Sequence, residues 1–149
     1  MSLYFLESSA FAKLFILEEG STELIQLLES VDDGQKLLSA LAALEVRSAI
    51  RRRERLHEIS ATDASSALET VARESLRIVE QPVTPAVIET ACAMLDVHPL
   101  RALDALQLAT CIVAREVLQA SEICFVSSDD VLLRAAEAEG FPIVNPTNL

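Results

Sequence analysis

The sequence predicts a single α/β domain over residues 1–149, built on a mainly parallel sheet of about four or five strands with helices on both faces. Three observations carry this. Short apolar runs alternate with longer stretches of helical spacing along the chain, the order that makes a parallel sheet through helical crossovers. The composition is rich in Leu and Ala, which favours helix, while small β-branched clusters leave room for short strands. At 149 residues the chain is long enough to bury a real core.

Taken in order, "LYFL" reads as strand 3–6 and the following segment as helix 8–16, with Ser8 or Ser9 as its cap. Helix 21–31, strand 36–39 and helix 40–57 come next. "SATD" at 60–63, with an acid in the first turn, opens helix 61–76. A short strand at 77–80 leads into "VTPAVIE", where Thr84 precedes a proline suited to the first position of helix 84–96. Helix 101–119, strand 122–127 and helix 129–139 follow. Gly140 and then Pro142 stop the last helix, and strand 142–145 closes the sheet. No internal repeat, low-complexity tract or linker interrupts the series.

Composition excludes several functions. No apolar stretch approaches the roughly 18 residues that span a bilayer. The amino terminus has no basic leader before an apolar core, and Glu7 interrupts its apolar run, so a cytoplasmic protein is expected. Cys92, Cys111 and Cys124 are odd in number, lie among apolar neighbours and lack metal-ligand spacing, so buried reduced thiols are expected. Gly20, Gly34 and Gly140 are too far apart for a dinucleotide fingerprint or a phosphate-cradling loop. No GxSxG elbow exists for His57, at a helix end, or for His98, before Pro99; both read as surface or capping residues.

A net charge of −11 argues against a general nucleic-acid coat. The average hides "VRSAIRRRER" at 46–55, where Arg47, Arg51, Arg52, Arg53 and Arg55 supply five of the twelve basic residues. Arginine suits bidentate phosphate contact, and a solvated helix end explains the same run.

What remains is carboxylate chemistry, and four acids stand out. Glu7 ends the first apolar strand. Glu45 shares a helical stripe with Leu38, Leu41, Ser48 and Ala49, and Asp104 one with Leu100, Leu108 and Cys111, so both point inward. Asp129 follows "ICFVSS" at the end of a second strong strand. Each has a plainer explanation: a strand end reaching water for Glu7, a helix cap for Asp129 or Asp130, and ion pairs with Arg47 or Arg101 for the other two. Together they suggest convergence, because the carboxyl ends of parallel strands open on the ligand crevice of such sheets. Glu7, on a strand expected to be central, should face the same crevice as Asp104. Several carboxylates at close range stay ionised only around a cation, and an all-oxygen set without His or Cys suits Mg²⁺ or Mn²⁺.

These residues resemble the PIN-domain ribonucleases, particularly the VapC-type toxins of bacterial toxin–antitoxin pairs. The resemblance runs over essentially the whole chain, through "YFLESSAFAKLF", "LEVRSAIRR" at 44–52, "HPLRALDALQLATC" at 98–111 and "FVSSDDVLLRAAEAEGFPIVNP" at 125–146. It implies a PIN-like fold and metal-dependent hydrolysis of RNA phosphodiesters. The catalytic acids and ligands of Mg²⁺ or Mn²⁺ would be Glu7, Glu45, Asp104 and Asp129, with Glu7 and Asp104 direct. Ser9 and Ser127 match small hydroxyl positions that orient ligands or water. Lys13, Arg51, Arg52, Arg53 and Arg101 would steer the RNA backbone towards the acids. The scarcity of aromatics, one Tyr and five Phe, disfavours extensive base stacking and so favours structured RNA. A cognate antitoxin and a homodimer are further implications.

One departure matters. The family's first acid is usually Asp, and Glu7 moves the carboxylate outward by about 1.5 Å, one carbon–carbon bond. A PIN-like binding protein with impaired catalysis is therefore the alternative. A receiver-like phosphoacceptor would want adjacent acids after the first strand and a late lysine; here serines follow Glu7, and the lysines are Lys13 and Lys36.

Overall fold

A computed structural model describes residues 2–120 and 122–149. Its elements run β1 (Leu3–Leu6), α1 (Ser8–Ala12), α2 (Ser21–Leu28), β2 (Lys36–Ser39), α3 (Ala42–Arg55), α4 (Ala61–Ser75), β3 (Val79–Gln81), α5 (Pro85–Val97), α6 (Ala102–Leu118), β4 (Ile123–Val126), α7 (Asp130–Ala138) and β5 (Ile143–Val144). Short 3₁₀ turns at Asp33–Gln35 and Pro146–Asn148 complete the described chain.

The sheet has the order β3-β2-β1-β4-β5, and every neighbouring pair is parallel. β1 is central, as its sequence leads one to expect, with Leu3–Leu6 in register against Ile123–Val126 and Phe5 against Leu37. The chain leaves β1 towards β2 and β3, then returns to its other side as β4. That reversal opens a crevice at the carboxyl ends of β1 and β4, where open α/β sheets bind ligands.

Period-two alternation divides the core. Phe5, Leu37, Ile123 and Phe125 face α5, α6 and α7, while Leu6, Leu38, Cys124 and Val126 face α1 to α4. Phe5 stacks on Phe125 with centroids 5.3 Å apart. Burial of each large side chain of this kind stabilises by about 1.5–3 kcal/mol.

Helix ends differ from expectation where turns or sheet contacts compete. α1 stops at Ala12 because Lys13, Leu14 and Phe15 bond three residues back, a tighter turn that keeps Phe11, Leu14 and Phe15 inward. Neither Ser8 nor Ser9 caps α1: Glu7 holds the cap position, without a side-chain cap bond. α2 ends at Leu28 and not at 31, since Val31 again bonds three back and Asp32 starts the 3₁₀ turn. α3 begins only at Ala42 because Ala40 N donates to Gln81 O and Leu41 N to Ser39 Oγ. Its far end is a Schellman turn with His57 at φ 57°, which gives that histidine the capping role expected. Ser60, Thr84 with Pro85, and Gly140 at φ 91° act as the sequence indicates. Cys111 and Cys124 are buried and free, but Cys92 is exposed, one position off the buried Val87–Ala91–Met94 stripe of α5.

Candidate functional site

β1 ends in Glu7, and the strand does not deliver it to bulk water: the residue is 5% exposed. Its backbone N–H still donates to Val126 O of β4, which fixes it at the crevice. Its Oε2 accepts from Ser9 Oγ at 2.5 Å and from Ser127 Oγ at 2.8 Å. The hydroxyls are themselves held, since Ser128 N donates to Ser9 Oγ and Asp129 N to Ser127 Oγ. Burial pushes the Glu7 carboxyl above its ordinary range; the two hydroxyls and the Ser9 backbone oppose this, and the charge of Glu45 adds to the rise.

Glu45, in the first turn of α3, reaches back to α1 and across to α6. Its Oε1 accepts from Gln107 Nε2 at 2.7 Å and from Ser8 Oγ at 3.1 Å, and Gln107 Nε2 also reaches Ser8 Oγ at 2.9 Å. Sequence reasoning missed Ser8 and Gln107 as members of the site. A signal existed: Gln107 is three residues after Asp104 and four before Cys111, on the same inward stripe.

Asp104 lies in the first turn of α6 and Asp129 at the N-cap of α7. Burial lifts the Asp104 carboxyl above its usual range and the charge of Asp129 adds to this, against the backbone and guanidinium of Arg101. Asp129 Oδ1 accepts from Leu132 N at 3.1 Å, so the cap reading of this residue is satisfied as well. All four acids thus sit at helix N-termini, Glu7 and Asp129 at cap positions and Glu45 and Asp104 in first turns, where peptide dipoles favour negative charge.

Two adjoining hollows contain all four. One, of about 490 Å³, is lined by Glu7, Ser9, Glu45, Arg52 and Leu103 among others; the next, of about 630 Å³, by Glu45, Arg101, Leu103, Asp104 and Asp129. Glu45 and Leu103 are shared, so the hollows form one groove. Glu7 lines the first hollow and Asp104 the second. Among the described residues no three His, Cys, Asp or Glu side chains converge closely enough to hold one ion between them. Nor, among the described residues, does any of the four acids form an ion pair, so the plainer explanation of Glu45 and Asp104 as partners of Arg47 or Arg101 does not hold.

The basic candidates separate. Arg52 and Arg101 are exposed and line the groove. Lys13 does not fit the expected RNA contact: it is 7% exposed and its ammonium is bonded to Glu18 at 3.0 Å. Arg53 pairs with the same Glu18, and Arg51 with Glu54 one turn on. His98 bonds Glu139 at 2.8 Å and lines neither hollow. Burial pushes the Cys124 thiol up to about 11 and that of Cys111 well above its usual value, so neither is a thiolate nucleophile at neutral pH.

The acid-lined groove lies at the carboxyl edge of a fully parallel sheet, the place where open α/β domains bind their ligands. The chain belongs to the PIN domain family, whose signature matches residues 4–138. PIN domains are generally nucleases and typically use divalent metals. The fold is similar to that in the crystal structure of FitAcB from Neisseria gonorrhoeae, with a TM-score of 0.70 and 15% identity over 99% of this chain and 100% of that one. It is similar also to the structure of FitAB bound to an IR36 DNA fragment, with a TM-score of 0.66 and 16% identity over 100% and 97% of the two chains. At such identities the likeness is one of fold. No curated protein matches the sequence. Among the described residues no helix is long and apolar enough to cross a membrane.

Proposed function

We propose that this chain is a divalent-metal-dependent RNA endonuclease of the VapC type, the toxin of a toxin–antitoxin pair, acting in the cytoplasm as a homodimer. One observation carries the catalytic part: four carboxylates line one groove and, among the described residues, no cationic side chain is bonded to any of them. Two of them, Glu7 and Asp104, are held above their ordinary pKa by burial and by a neighbouring acid. A bound cation relieves both effects, and the all-oxygen donor set fits Mg²⁺ or Mn²⁺. One or two such ions would be held, with Glu7 and Asp104 as direct ligands and Glu45 and Asp129 bound directly or through water. When bound, such an ion polarises a phosphoryl oxygen and lowers the pKa of the attacking water.

The chain's own residues do the rest. Ser9 and Ser127 fix the Glu7 carboxylate, and the Leu132 N–H fixes that of Asp129. Arg52 and Arg101, one in each hollow, bring positive charge to an acidic groove that would otherwise repel an RNA backbone. The antitoxin and the homodimer rest on the resemblance to VapC-type toxins; the fold shared with FitAcB and FitAB supports the antitoxin.

The burial of Glu7 under two hydroxyls favours a second reading, a PIN-like binding protein whose metal-dependent catalysis is impaired. Calorimetric titration with MnCl₂ separates the two. Binding abolished in Asp104→Asn supports the nuclease, and no binding by the wild-type chain supports the alternative.

A further inference from the structure

Gln107 stands one helical turn after Asp104 on α6 and is 1% exposed. Its Nε2 donates to Glu45 Oε1 and to Ser8 Oγ, tying α6 to α3 and to α1 at the carboxyl edge of the sheet. Its other polar atom, Oε1, is buried and has no hydrogen-bond partner among the described residues. Packing alone does not call for a glutamine here. An apolar side chain of similar volume fills the same space and leaves no buried acceptor unpaired.

The amide does something an apolar residue cannot. Two donors, Gln107 Nε2 and Ser8 Oγ, converge on the same oxygen of Glu45, and both are neutral. A lysine or arginine would hold the carboxylate as firmly but would cancel its charge, whereas an amide orients it and leaves the charge whole. Glu45 is also the acid shared by the two hollows, so fixing it fixes the junction of the groove. The same turn of α6 that carries Asp104 sets the position of this shared carboxylate.

We infer that Gln107 is a positioning residue: it pins Glu45 Oε1 through a neutral donor, so that the carboxylate presents an undiminished anionic oxygen to a divalent cation in the groove. This rests on the reading of the groove as a metal site. The test is calorimetric titration of the full chain with MnCl₂ for wild type, Gln107→Leu, Glu45→Gln and the double variant, beside metal-free thermal melts. Loss of an outer partner of a metal ligand typically weakens binding by about 10–100-fold, the loss expected for Gln107→Leu, with a cooperative melt retained. In the Glu45→Gln protein the second change should weaken binding no further. Equal affinity in wild type and Gln107→Leu overturns the inference, as does an equal further loss in the Glu45→Gln background. If Gln107→Leu does not fold, Gln107→Met takes its place, and failure of both assigns Gln107 a structural role and overturns the inference. Wild-type protein that binds no Mn²⁺ overturns the metal reading itself, and the inference with it. That outcome is distinct from a wild type that binds and a variant that binds equally well.

Discussion

Glu7→Gln should stabilise the metal-free protein at neutral pH, although it removes a residue of the groove. Glu7 is a buried carboxylate whose folded-state pKa is raised, first by burial and further by Glu45. Such a group binds its proton more tightly in the folded than in the unfolded state, so it favours folding at low pH and loses that contribution as pH rises through the folded pKa. At pH 7, where the unfolded-state carboxyl has lost its proton, this tighter hold on the proton in the folded state is therefore a net cost. Glutamine keeps a carbonyl oxygen able to accept from Ser9 and Ser127, in place of Oε2, which accepts from both. Two hydrogen bonds lose their charge assistance, about 1 kcal/mol each, while a desolvation cost of several kcal/mol for a buried ion is removed. The net gain is about 1–2 kcal/mol, or roughly 2–8 °C in melting temperature for a chain of this size. Thermal melts in chelator from pH 4 to pH 8 read it directly, with the gap between variant and wild type closing as pH falls. A variant less stable than wild type at pH 7, or a gap independent of pH, would refute the placement of Glu7 as a buried, uncompensated acid. Added Mn²⁺ should reverse the order by stabilising the wild type alone.

Arg52→Gln should weaken RNA binding across sequences and reduce the salt slope of log K by about 0.7–0.9, one phosphate contact, whereas Arg51→Gln and Arg53→Gln, whose guanidiniums are engaged with Glu54 and Glu18, should change it less. Filter binding over a salt series checks this, and equal effects from the three would contradict the separation. Gly20→Ala should cost about 2 kcal/mol, because φ is +88° and a Cβ would stand 3.0 Å from the Pro146 carbonyl carbon. Chemical denaturation measures the loss, and a neutral result would contradict the close approach of the carboxyl-terminal turn to α2.

Much of the groove was legible because two simple periods carry it. The apolar runs of β1 and β4 end at Glu7 and shortly before Asp129, and a parallel sheet leaves such ends at one edge. Glu45 and Asp104 show themselves by interrupting apolar stripes at helical spacing. Spacing cannot, however, say which acid neighbours which. That Glu45 lines both hollows, with Glu7 in one and Asp104 and Asp129 in the other, depends on how α3 and α6 lean on the sheet. Arg51 with Glu54 is a local pair that the arginine run already contains, but Arg53 and Lys13 meet at Glu18 only through the fold. Gln107 escaped notice for a related reason: its partners lie 62 and 99 residues away, and nothing local marks a glutamine as bonded to a carboxylate.

The most direct measurement is cleavage of total cellular RNA by protein stripped of any partner, in Mn²⁺ or Mg²⁺ and in EDTA, with Asp104→Asn run beside wild type. Asp104 is held above its usual pKa by burial and by Asp129, so the neutral isostere should fold at least as well as wild type. Wild type should cleave only with the metal present, and Asp104→Asn should not cleave at all while its melting temperature is kept. Wild-type cleavage undiminished in EDTA, or full activity in Asp104→Asn, would contradict a metal held by these acids. A wild type that neither cleaves RNA nor binds Mn²⁺ would leave a PIN fold that has become a binding protein.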